Sequence, residues 1–306
     1  MTRRVAIVGG SGLLGLNWAL RMRDQCDIHL LLNKRDITLD RVTKYYADFS
    51  SASALQKLVQ EIDPHILINA AALTDVDKCQ SAVSVARRVN VNLACDLAII
   101  ASNLACKLIH ISTDQLFDGK SGPYGESDKV NPMNHYGFTK CMAENLILQN
   151  NNQALILRTN FFGWGSPYRR SFSDWIIDAL KSNETLEMYA DNLFTPVYVG
   201  RLIAVAHALA DLSKSGIYNV ASNRTISKYD FALMICNTFS LNHNLVLESS
   251  LRSVLECDQS KAPRPLRMDL SNEKIRSTLC DVDFDLDEML SEFSQDWQIE
   301  RILAGV

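Results

Sequence analysis

A glycine-rich segment close to the amino terminus limits the possible folds of this chain more than any other segment. Residues 5–15 read VAIVGGSGLLG, an apolar run followed by glycines at three-residue spacing and then by an amphipathic stretch. This order predicts a strand, a tight turn and a helix, and the start of such a helix offers unpaired N–H groups and a positive dipole end to a pyrophosphate. The residues that we expect to surround the phosphates of a dinucleotide are Gly9, Ser11, Gly12, Leu13 and Leu14.

A glycine turn can also join a strand to a helix without binding a ligand. Here short β-branched or Leu-rich runs alternate with longer helical patterns over the first 160 residues, which is typical of a parallel sheet with helices on both faces. The expected fold class is therefore α/β, a Rossmann-type doubly wound parallel sheet, and this context favours a bound dinucleotide. Strands are predicted at residues 4–8, 28–32, 66–69, 107–112 and 154–158, and helices at 13–23, 53–61, 83–103, 135–149, 171–182 and 199–213.

The regular alternation ends near residue 160. We therefore predict that residues 1–160 form the NADP-binding Rossmann domain and that residues 161–306 form mainly a smaller substrate-binding lobe. No Gly/Ser-rich or charged spacer separates the two parts, so some segments of the second part can return to the sheet.

The net charge and the cysteines narrow the class of protein. The formal net charge is −4 and no long basic run is present, so we expect neither nucleic acid nor a membrane surface as a partner. No stretch approaches the roughly 18 apolar residues of a membrane-spanning helix. The eight cysteines are scattered without paired spacing, which favours a reducing cytoplasm, and the six histidines show no metal-binding motif, so no metal is expected.

The segment after the second predicted strand bears on the choice of cofactor. A carboxylate at this point would bind the ribose 2′-hydroxyl of NAD, but the chain has Asn33, Lys34 and Arg35 there. Two cations suit the 2′-phosphate of NADP(H), which is the expected cofactor. Asp36 keeps NAD(H) open as an alternative, and the segment can also be a solvated turn.

A tyrosine and a lysine four residues apart form the candidate catalytic pair. Tyr136 and Lys140 lie in a predicted helix and therefore share one face. Thr113 follows the fourth predicted strand, at the sheet edge where ligands of doubly wound folds bind, so it can face Tyr136. A phenol transfers protons poorly near neutral pH unless its phenolate is stabilised, and we expect the Lys140 ammonium to lower the pKa of Tyr136.

Several stretches, taken in order along the chain, carry a family resemblance. The glycine loop, residues 69–72, residues 111–114 and the Tyr136/Lys140 pair resemble an extended short-chain dehydrogenase/reductase. The chain is more closely similar to the dTDP-4-dehydrorhamnose reductases, and the similarity runs from Val5 to about Asp296. The stretches that carry the closer similarity are INAAALTDVDKC at 68–79, STDQLFDG at 112–119, NPMNHYGFTK at 131–140 and LRTNFFG at 157–163.

The resemblance implies a reaction in deoxysugar or polysaccharide biosynthesis. NADPH would deliver hydride to the C4 ketone of a nucleotide-linked 4-keto-6-deoxy sugar, while Tyr136 donates the proton, Thr113 hydrogen-bonds the carbonyl and Lys140 also holds the nicotinamide ribose. Further cofactor contacts are implied for Asp48, Phe49, Ala70, Ala71 and Ala72, and substrate contacts for Thr113, Asp114, Phe161, Arg264 and Arg267.

Some of these assignments have alternatives. Arg264 and Arg267 can equally be surface charges. Trp164 lies beside glycines in a loop, where its ring can cover the substrate or anchor the loop. Gln115 and Phe161 depart from residues that are common in the family, an aromatic residue and a tryptophan, so the resemblance leaves the sugar and the base undefined.

Two other functions also agree with the resemblance. One is a non-catalytic dinucleotide-binding subunit like the β subunit of methionine adenosyltransferase, and the other is a nucleotide-sugar epimerase. The complete set of Thr113, Tyr136 and Lys140 favours a reductase over the regulatory subunit. A homodimer is a further open alternative.

Overall fold

A parallel sheet of seven strands forms the centre of the computed structural model, which describes residues 2–306. Its inner strands consist largely of Ile, Leu and Val and are buried on both faces, as is usual when helices cover a parallel sheet. The strands of the chain are β1 Arg3–Val8, β2 Cys26–Leu32, β3 Thr43–Tyr46, β4 Ile66–Asn69, β5 Lys107–Ile111, β6 Leu155–Thr159, β7 Phe161–Phe162, β8 Leu186–Tyr189, β9 Leu193–Phe194, β10 Val197–Tyr198, β11 Gly216–Val220, β12 Ile226–Ser227 and β13 Val246–Ser249.

The central sheet has the strand order β3-β2-β1-β4-β5-β6-β11, and all neighbouring strands are parallel. The chain builds outward from β1 in one direction and then restarts with β4 on the other side of β1. This reversal is the topological switch point at which doubly wound folds bind their ligands. The predicted Rossmann-type fold is confirmed.

Helices cover both faces of the sheet because successive side chains of each strand point to opposite sides. Val5 and Ile7 of β1 belong to one apolar cluster, whereas Ala6 and Val8 belong to another. The helices are α1 Leu13–Met22, α2 Ala52–Ile62, α3 Val76–Ser81, α4 Val83–Arg87, α5 Leu93–Asn103, α6 His135–Asn150, α7 Phe172–Lys181, α8 Val199–Asp211, α9 Lys228–Phe239, α10 Leu251–Cys257, α11 Glu273–Thr278, α12 Leu286–Gln295 and α13 Trp297–Ala304, with a π-helical segment Arg88–Asn92 and a 3-10 turn His243–Leu245.

Several elements differ from the sequence prediction, and three of these differences bear on the central sheet and the helices beside it. β3 was not predicted, because TKYY is largely exposed and lacks an apolar run. β11 was not predicted either, and it brings part of the second half of the chain back to the sheet, beside β6. The helix predicted at 83–103 is divided by the π-helical segment Arg88–Asn92. The domain boundary at residue 160 stays a prediction.

The smaller lobe consists of three two-stranded pairs, β10 with β7, β12 with β9 and β13 with β8, packed with helices from the second half. Its core is aromatic: Phe162 contacts Phe231 and Phe293 edge to face. Trp164 belongs to this core, since it is 4% exposed, packs on Phe293 and donates from Nε1 to the Phe293 carbonyl at 3.2 Å. Trp164 therefore anchors the loop, and the structure does not support a ring that covers the substrate.

No helix in residues 2–306 is long and apolar enough to cross a membrane. Within the same residues, no group of three or more His, Cys, Asp or Glu side chains is arranged to hold a metal ion. The cytoplasmic location and the homodimer stay predictions.

Candidate active site

Three neighbouring strands end at one edge of the sheet, and the residues that follow them form the candidate active site. β4, β5 and β6 are adjacent and parallel, so their carboxyl ends meet. Residues 70–72, 112–114 and 160–161 follow these strands directly. The structure thus brings together strand-end segments that lie far apart in the sequence.

Tyr136 lies in the first turn of α6, beside the segment that follows β5. The helix begins at Asn134, whose side chain accepts a hydrogen bond from the Gly137 N–H at 2.8 Å. Gly137 lets α6 approach this segment closely, because a Cβ there would lie 2.1 Å from the carbonyl oxygen of Gln115. Tyr136 is 7% exposed, and Thr113 lies close enough to its phenol to influence the pKa of that group. The structure therefore brings these two side chains near each other, and their catalytic roles stay predictions.

The environment of Tyr136 favours the protonated phenol. Burial raises the pKa of Tyr136 well above its ordinary value; the hydrogen bond with Thr113 opposes this shift, and the charge of Asp114 adds to it. The expected lowering of this pKa by Lys140 is not found: burial has the larger effect, and Lys140 is not among the groups in the described chain that shift it. Near neutral pH the phenol of Tyr136 therefore keeps its proton.

Lys140 is buried one turn further along α6. Its Nζ lies 2.9 Å from Nε2 of His110 and donates to the carbonyl oxygen of Ile111 at 2.7 Å. Burial lowers the pKa of Lys140 to about 8, although the nearby charge of Glu144 raises it. No motif in the sequence indicated that His110 lies beside this lysine.

The charges of Asp114 and Lys228 influence each other, an interaction that the sequence did not predict. Asp114 is 2% exposed, and its carboxylate accepts a hydrogen bond from Asn160 at 2.6 Å. Nζ of Lys228 lies 3.2 Å from the ring centroid of Phe194 and 4.6 Å from that of Phe172. Burial raises the pKa of Asp114 and lowers that of Lys228 to about 7, and each charge partly offsets the shift of the other.

A cavity of about 290 Å³ lies between this edge of the sheet and the smaller lobe. It is lined by two cations, Lys228 and Arg264, and by several aromatic rings. The ammonium of Lys228 donates no hydrogen bond to another of the described residues, so its N–H groups are available to a ligand. The lining residues are Gln115, Asn160, Phe172, Trp175, Glu187, Met188, Tyr189, Asn192, Lys228, Leu251, Arg264 and Met268.

The two arginines proposed from the sequence differ in position. Arg264 lines the cavity, while its guanidinium also pairs with Asp77 at 2.7 Å. Arg267 does not line the cavity and pairs instead with the fully buried carboxylate of Asp269 at 2.8 Å, which neutralises its charge. Phe161 is half-buried against the large apolar cluster, directly after Asn160. Because Arg264 lines the cavity and Arg267 does not, Arg264 is the better candidate to bind an anionic group of a ligand.

The glycine loop is packed too closely for side chains. Gly9 has φ +86°, and a Cβ there would lie 2.8 Å from the backbone nitrogen of Ala71, while a Cβ on Gly15 would lie 2.5 Å from the Gly9 carbonyl oxygen. The N-cap of α1 is Gly12, which provides no side-chain cap. The first N–H groups of this helix, those of Leu13 among them, are thus left for an external acceptor.

Asn33, Lys34 and Arg35 are exposed directly after β2. The Arg35 guanidinium stacks 4.0 Å from the ring centroid of Tyr168, and the hydroxyl of Tyr168 donates to the carbonyl oxygen of Ser11 at 3.0 Å. These contacts hold Arg35 beside the glycine loop.

Two carboxylates near these cations are already engaged. Asp36 accepts hydrogen bonds from Tyr46 and Lys44, which lower its pKa to about 2. Asp48 accepts from the backbone and hydroxyl of Ser50, and Phe49 packs on the second apolar cluster. The carboxylate of Asp36, which could have bound the ribose 2′-hydroxyl of NAD(H), is therefore already hydrogen-bonded within the protein.

Comparison with known proteins places this arrangement in a family. The sequence model described as the RmlD substrate binding domain matches residues 3–298. The chain belongs to this family. It is 31% identical over 274 residues to the probable low-salt glycan biosynthesis reductase Agl14 of Haloferax volcanii, covering 87% of this chain and 89% of that protein.

Two further similarities bear on function. A crystal structure of dTDP-4-dehydrorhamnose reductase from Bacillus anthracis in complex with NADP superposes with a TM-score of 0.82 and 27% identity, over 97% of this chain and 100% of that one. The methionine adenosyltransferase 2 subunit beta of Xenopus tropicalis is 30% identical over 280 residues, covering 89% of this chain and 81% of that protein. The family resemblance predicted from the sequence is confirmed.

Proposed function

We propose that this protein reduces the C4 ketone of a nucleotide-linked 4-keto-6-deoxy sugar and uses NADPH as the reductant. The observation that carries the proposal is the phenol of Tyr136, which is buried near Thr113 at the carboxyl edge of the sheet and kept protonated by that burial. A protonated phenol in this position can donate to a carbonyl oxygen as the carbon is reduced. The similarity to named reductases supports the same chemistry.

The glycine loop fits a dinucleotide. Gly9 and Gly15 leave no room for a Cβ, and the uncapped start of α1 would hold the phosphates through the N–H groups of Leu13 and Leu14. Lys34 and Arg35 would bind a 2′-phosphate. NADPH, when bound, supplies the hydride. Residues 70–72, with Asn33, Ser11, Asp48 and Phe49, complete the set of residues that we propose for the cofactor.

The charges and rings of the cavity support a nucleoside diphosphate as part of the substrate. Lys228 and Arg264 would bind the diphosphate, and Trp175 or Tyr189 would stack on the base. The sugar would lie toward Tyr136, against the substrate residues proposed from the sequence. Those residues are Thr113, Asp114 and Phe161.

A substrate panel tests the proposal. The protein and NADPH are incubated with dTDP-, CDP-, UDP- and GDP-linked 4-keto-6-deoxy sugars, and the loss of nicotinamide absorbance is followed, with the Tyr136→Phe variant as the control. We expect at least one sugar nucleotide to be reduced much faster than the free sugar, because contacts to the nucleotide position the ketone. Efficient turnover of a simple aldehyde or an unlinked ketose, with no sugar nucleotide reduced, would refute the assignment.

A regulatory subunit is the second candidate, favoured by the similarity to the methionine adenosyltransferase subunit. That function needs the dinucleotide site but not the phenol of Tyr136. It would be supported if NADPH bound tightly, no member of the panel were consumed, and the protein changed the kinetics of a methionine adenosyltransferase. An epimerase would instead convert its substrate without net loss of NADPH.

A further inference from the structure

The loop between β7 and α7 carries a tyrosine that no sequence motif indicated. Tyr168 is half-buried, packs on the large apolar cluster and donates from its hydroxyl to the carbonyl oxygen of Ser11 at 3.0 Å. The Cζ atom of Arg35 lies 4.0 Å from the centroid of the same ring. One side chain from the second half of the chain thus contacts two parts of the candidate cofactor site, the glycine loop and the cations after β2.

The loop that carries Tyr168, residues 163–171, is held at other points as well. The carbonyl oxygen of Trp164 accepts a buried hydrogen bond from Nδ2 of Asn17 in α1 at 2.7 Å. Arg169 donates to the hydroxyl of Thr74, in the segment after β4, at 2.7 Å. These contacts fix the path of the loop on both sides of Tyr168, so the loop determines where the ring lies.

The N–H groups of Arg35 are not used by the protein. Within residues 2–306 its guanidinium makes no hydrogen bond and no ion pair, and its contact is with the ring of Tyr168. The neighbouring carboxylate of Asp36 is bound by Lys44 and Tyr46 instead. A guanidinium that lies over an aromatic ring keeps its donors in its own plane, where they can reach a phosphate. The ring therefore holds the cation and leaves its donors free.

Holding Arg35 in advance affects its affinity for an anion. The side chain is exposed, and an exposed arginine samples many rotamers when nothing holds it. Binding a phosphate selects one arrangement, and the loss of the others weakens binding. A cation already attracted to a ring loses less freedom, and the attraction strengthens when a ligand excludes water. NADPH has a 2′-phosphate that can gain from this arrangement, and NADH has none.

We propose that Tyr168 is a positioning residue that holds Arg35 for the 2′-phosphate of the dinucleotide and so strengthens the preference for NADPH over NADH. This statement rests on the part of the proposed function that assigns NADPH as the cofactor. It does not depend on the sugar, because the experiments that test it measure cofactor binding without a substrate.

The test compares the dissociation constants of NADPH and NADH, measured by fluorescence titration of the whole chain. Tyr168→Leu keeps an apolar side chain on the cluster but removes the aromatic face. We expect this variant to bind NADPH about three- to tenfold more weakly and NADH almost as before. Tyr168→Phe keeps the ring and deletes only the hydrogen bond to Ser11, so it should retain most of the preference. Equal losses in the two variants would contradict a role for the aromatic face.

A double-mutant cycle shows whether the ring acts through Arg35. In an Arg35→Ala background, Tyr168→Leu should change the NADPH dissociation constant by about twofold at most, because no guanidinium is left to position. Lys34→Ala is the matched background, since it removes the same charge from a side chain that does not lie over this ring. The full effect of Tyr168→Leu should persist there.

Three further results would overturn the proposal. One is a wild-type protein that binds NADH as tightly as NADPH. Another is a Tyr168→Leu variant that loses both nucleotides to the same extent, which would show that the ring supports the whole site. The third is an equal effect of Tyr168→Leu in the Arg35→Ala and Lys34→Ala backgrounds. If the affinities change as expected but no sugar nucleotide is reduced, the proposed reaction fails and the role of Tyr168 stands.

Discussion

The hydroxyl of Tyr136 is the single group that the proposed reduction needs from the protein as a proton donor. Tyr136→Phe keeps the ring in its buried position and deletes only this hydroxyl. We expect turnover to fall by about 10²–10⁴-fold, the usual contribution of a general acid, while the NADPH dissociation constant changes little. Steady-state kinetics and a fluorescence titration with NADPH check this, and a variant that retained most of its turnover would contradict the mechanism.

Lys34 and Arg35 are the residues on which the choice between NADPH and NADH depends. The double substitution Lys34→Ala/Arg35→Ala should weaken NADPH by about 10- to 100-fold and leave NADH nearly unchanged, since only NADPH carries the 2′-phosphate. Both dissociation constants are measured. The matched control is Lys57→Ala/Lys129→Ala, which removes the same charge from exposed positions elsewhere. Equal effects of the two double substitutions would argue against a specific phosphate site.

Lys228 should make substrate binding sensitive to pH. Burial lowers its pKa to about 7, so the cation is present below that pH and is lost as the pH rises through it. The KM for the sugar nucleotide should therefore increase above pH 7, and Lys228→Gln should show the weaker binding, about tenfold, at all pH values. Lys228→Arg keeps its charge and should remove the pH dependence; a dependence that persisted in that variant would have another origin.

The turn between β1 and α1 depends on glycine for two separate reasons, and the chain offers a control that separates them. Gly9 and Gly216 both have positive φ, +86° and +83°, but a Cβ on Gly9 would collide with Ala71 whereas a Cβ on Gly216 would meet nothing within 4 Å. Gly216→Ala should cost about 1–2 kcal/mol of unfolding free energy, the price of the left-handed conformation alone. Gly9→Ala should cost more and also weaken NADPH.

Denaturant unfolding and NADPH titration of both variants provide the measurement. The collision at Gly9 moves the segment after β4, which we propose lines the cofactor, so stability and affinity should fall together there. Equal losses of stability in the two variants, with NADPH binding intact in both, would show that the close approach of Gly9 to Ala71 has no role in the cofactor site.

The elements that the sequence predicted are those with a strong local pattern. β1, β4 and β5 are buried on both faces, so their apolar runs are visible without knowledge of their neighbours. β3 is exposed and becomes a strand through its pairing with β2. The π-helical segment Arg88–Asn92 contains Asn90, whose side chain bonds to the backbone of Leu73 and to the hydroxyl of Thr139, and these partners are distant in sequence.

The same distinction holds in the candidate site. Thr113 and Tyr136 could be found because strand ends and helix spacing are local signals. Lys228 and His110 could not, since neither belongs to a motif and each acquires its meaning from a side chain on another element, Asp114 for one and Lys140 for the other. For Trp164 the sequence left two roles open, covering the substrate or anchoring the loop, because a loop position beside glycines does not reveal that the ring is buried.

At the scale of the whole molecule, the two halves of the chain share one structure. β11 comes from the second half and pairs with β6 along five residues of the central sheet. One apolar cluster contains Val5 and Ile7 of β1 together with Phe162 and Phe293 of the smaller lobe. A lobe that shares both a sheet and an apolar core with the first half has few ways to unfold alone.

We therefore expect residues 2–306 to unfold as one cooperative unit, with Trp18 and Trp164 as the reporters. Trp18 is buried in α1 and donates from Nε1 to His207 at 2.9 Å, whereas Trp164 is buried in the aromatic core of the lobe. Two variants, each retaining one of these tryptophans and carrying phenylalanine at the other three positions, are unfolded in urea and followed by fluorescence and by far-UV circular dichroism. Within each variant the fluorescence and dichroism midpoints should coincide, because the transition is all-or-none.

A ligand that binds only the native state stabilises every part of a cooperative unit. NADPH at about 100 times its dissociation constant should therefore add about 2.7 kcal/mol to the free energy of unfolding of both variants. A lobe transition that precedes the loss of helix signal, or a gain from NADPH seen by Trp18 but not by Trp164, would instead show two units that fold separately.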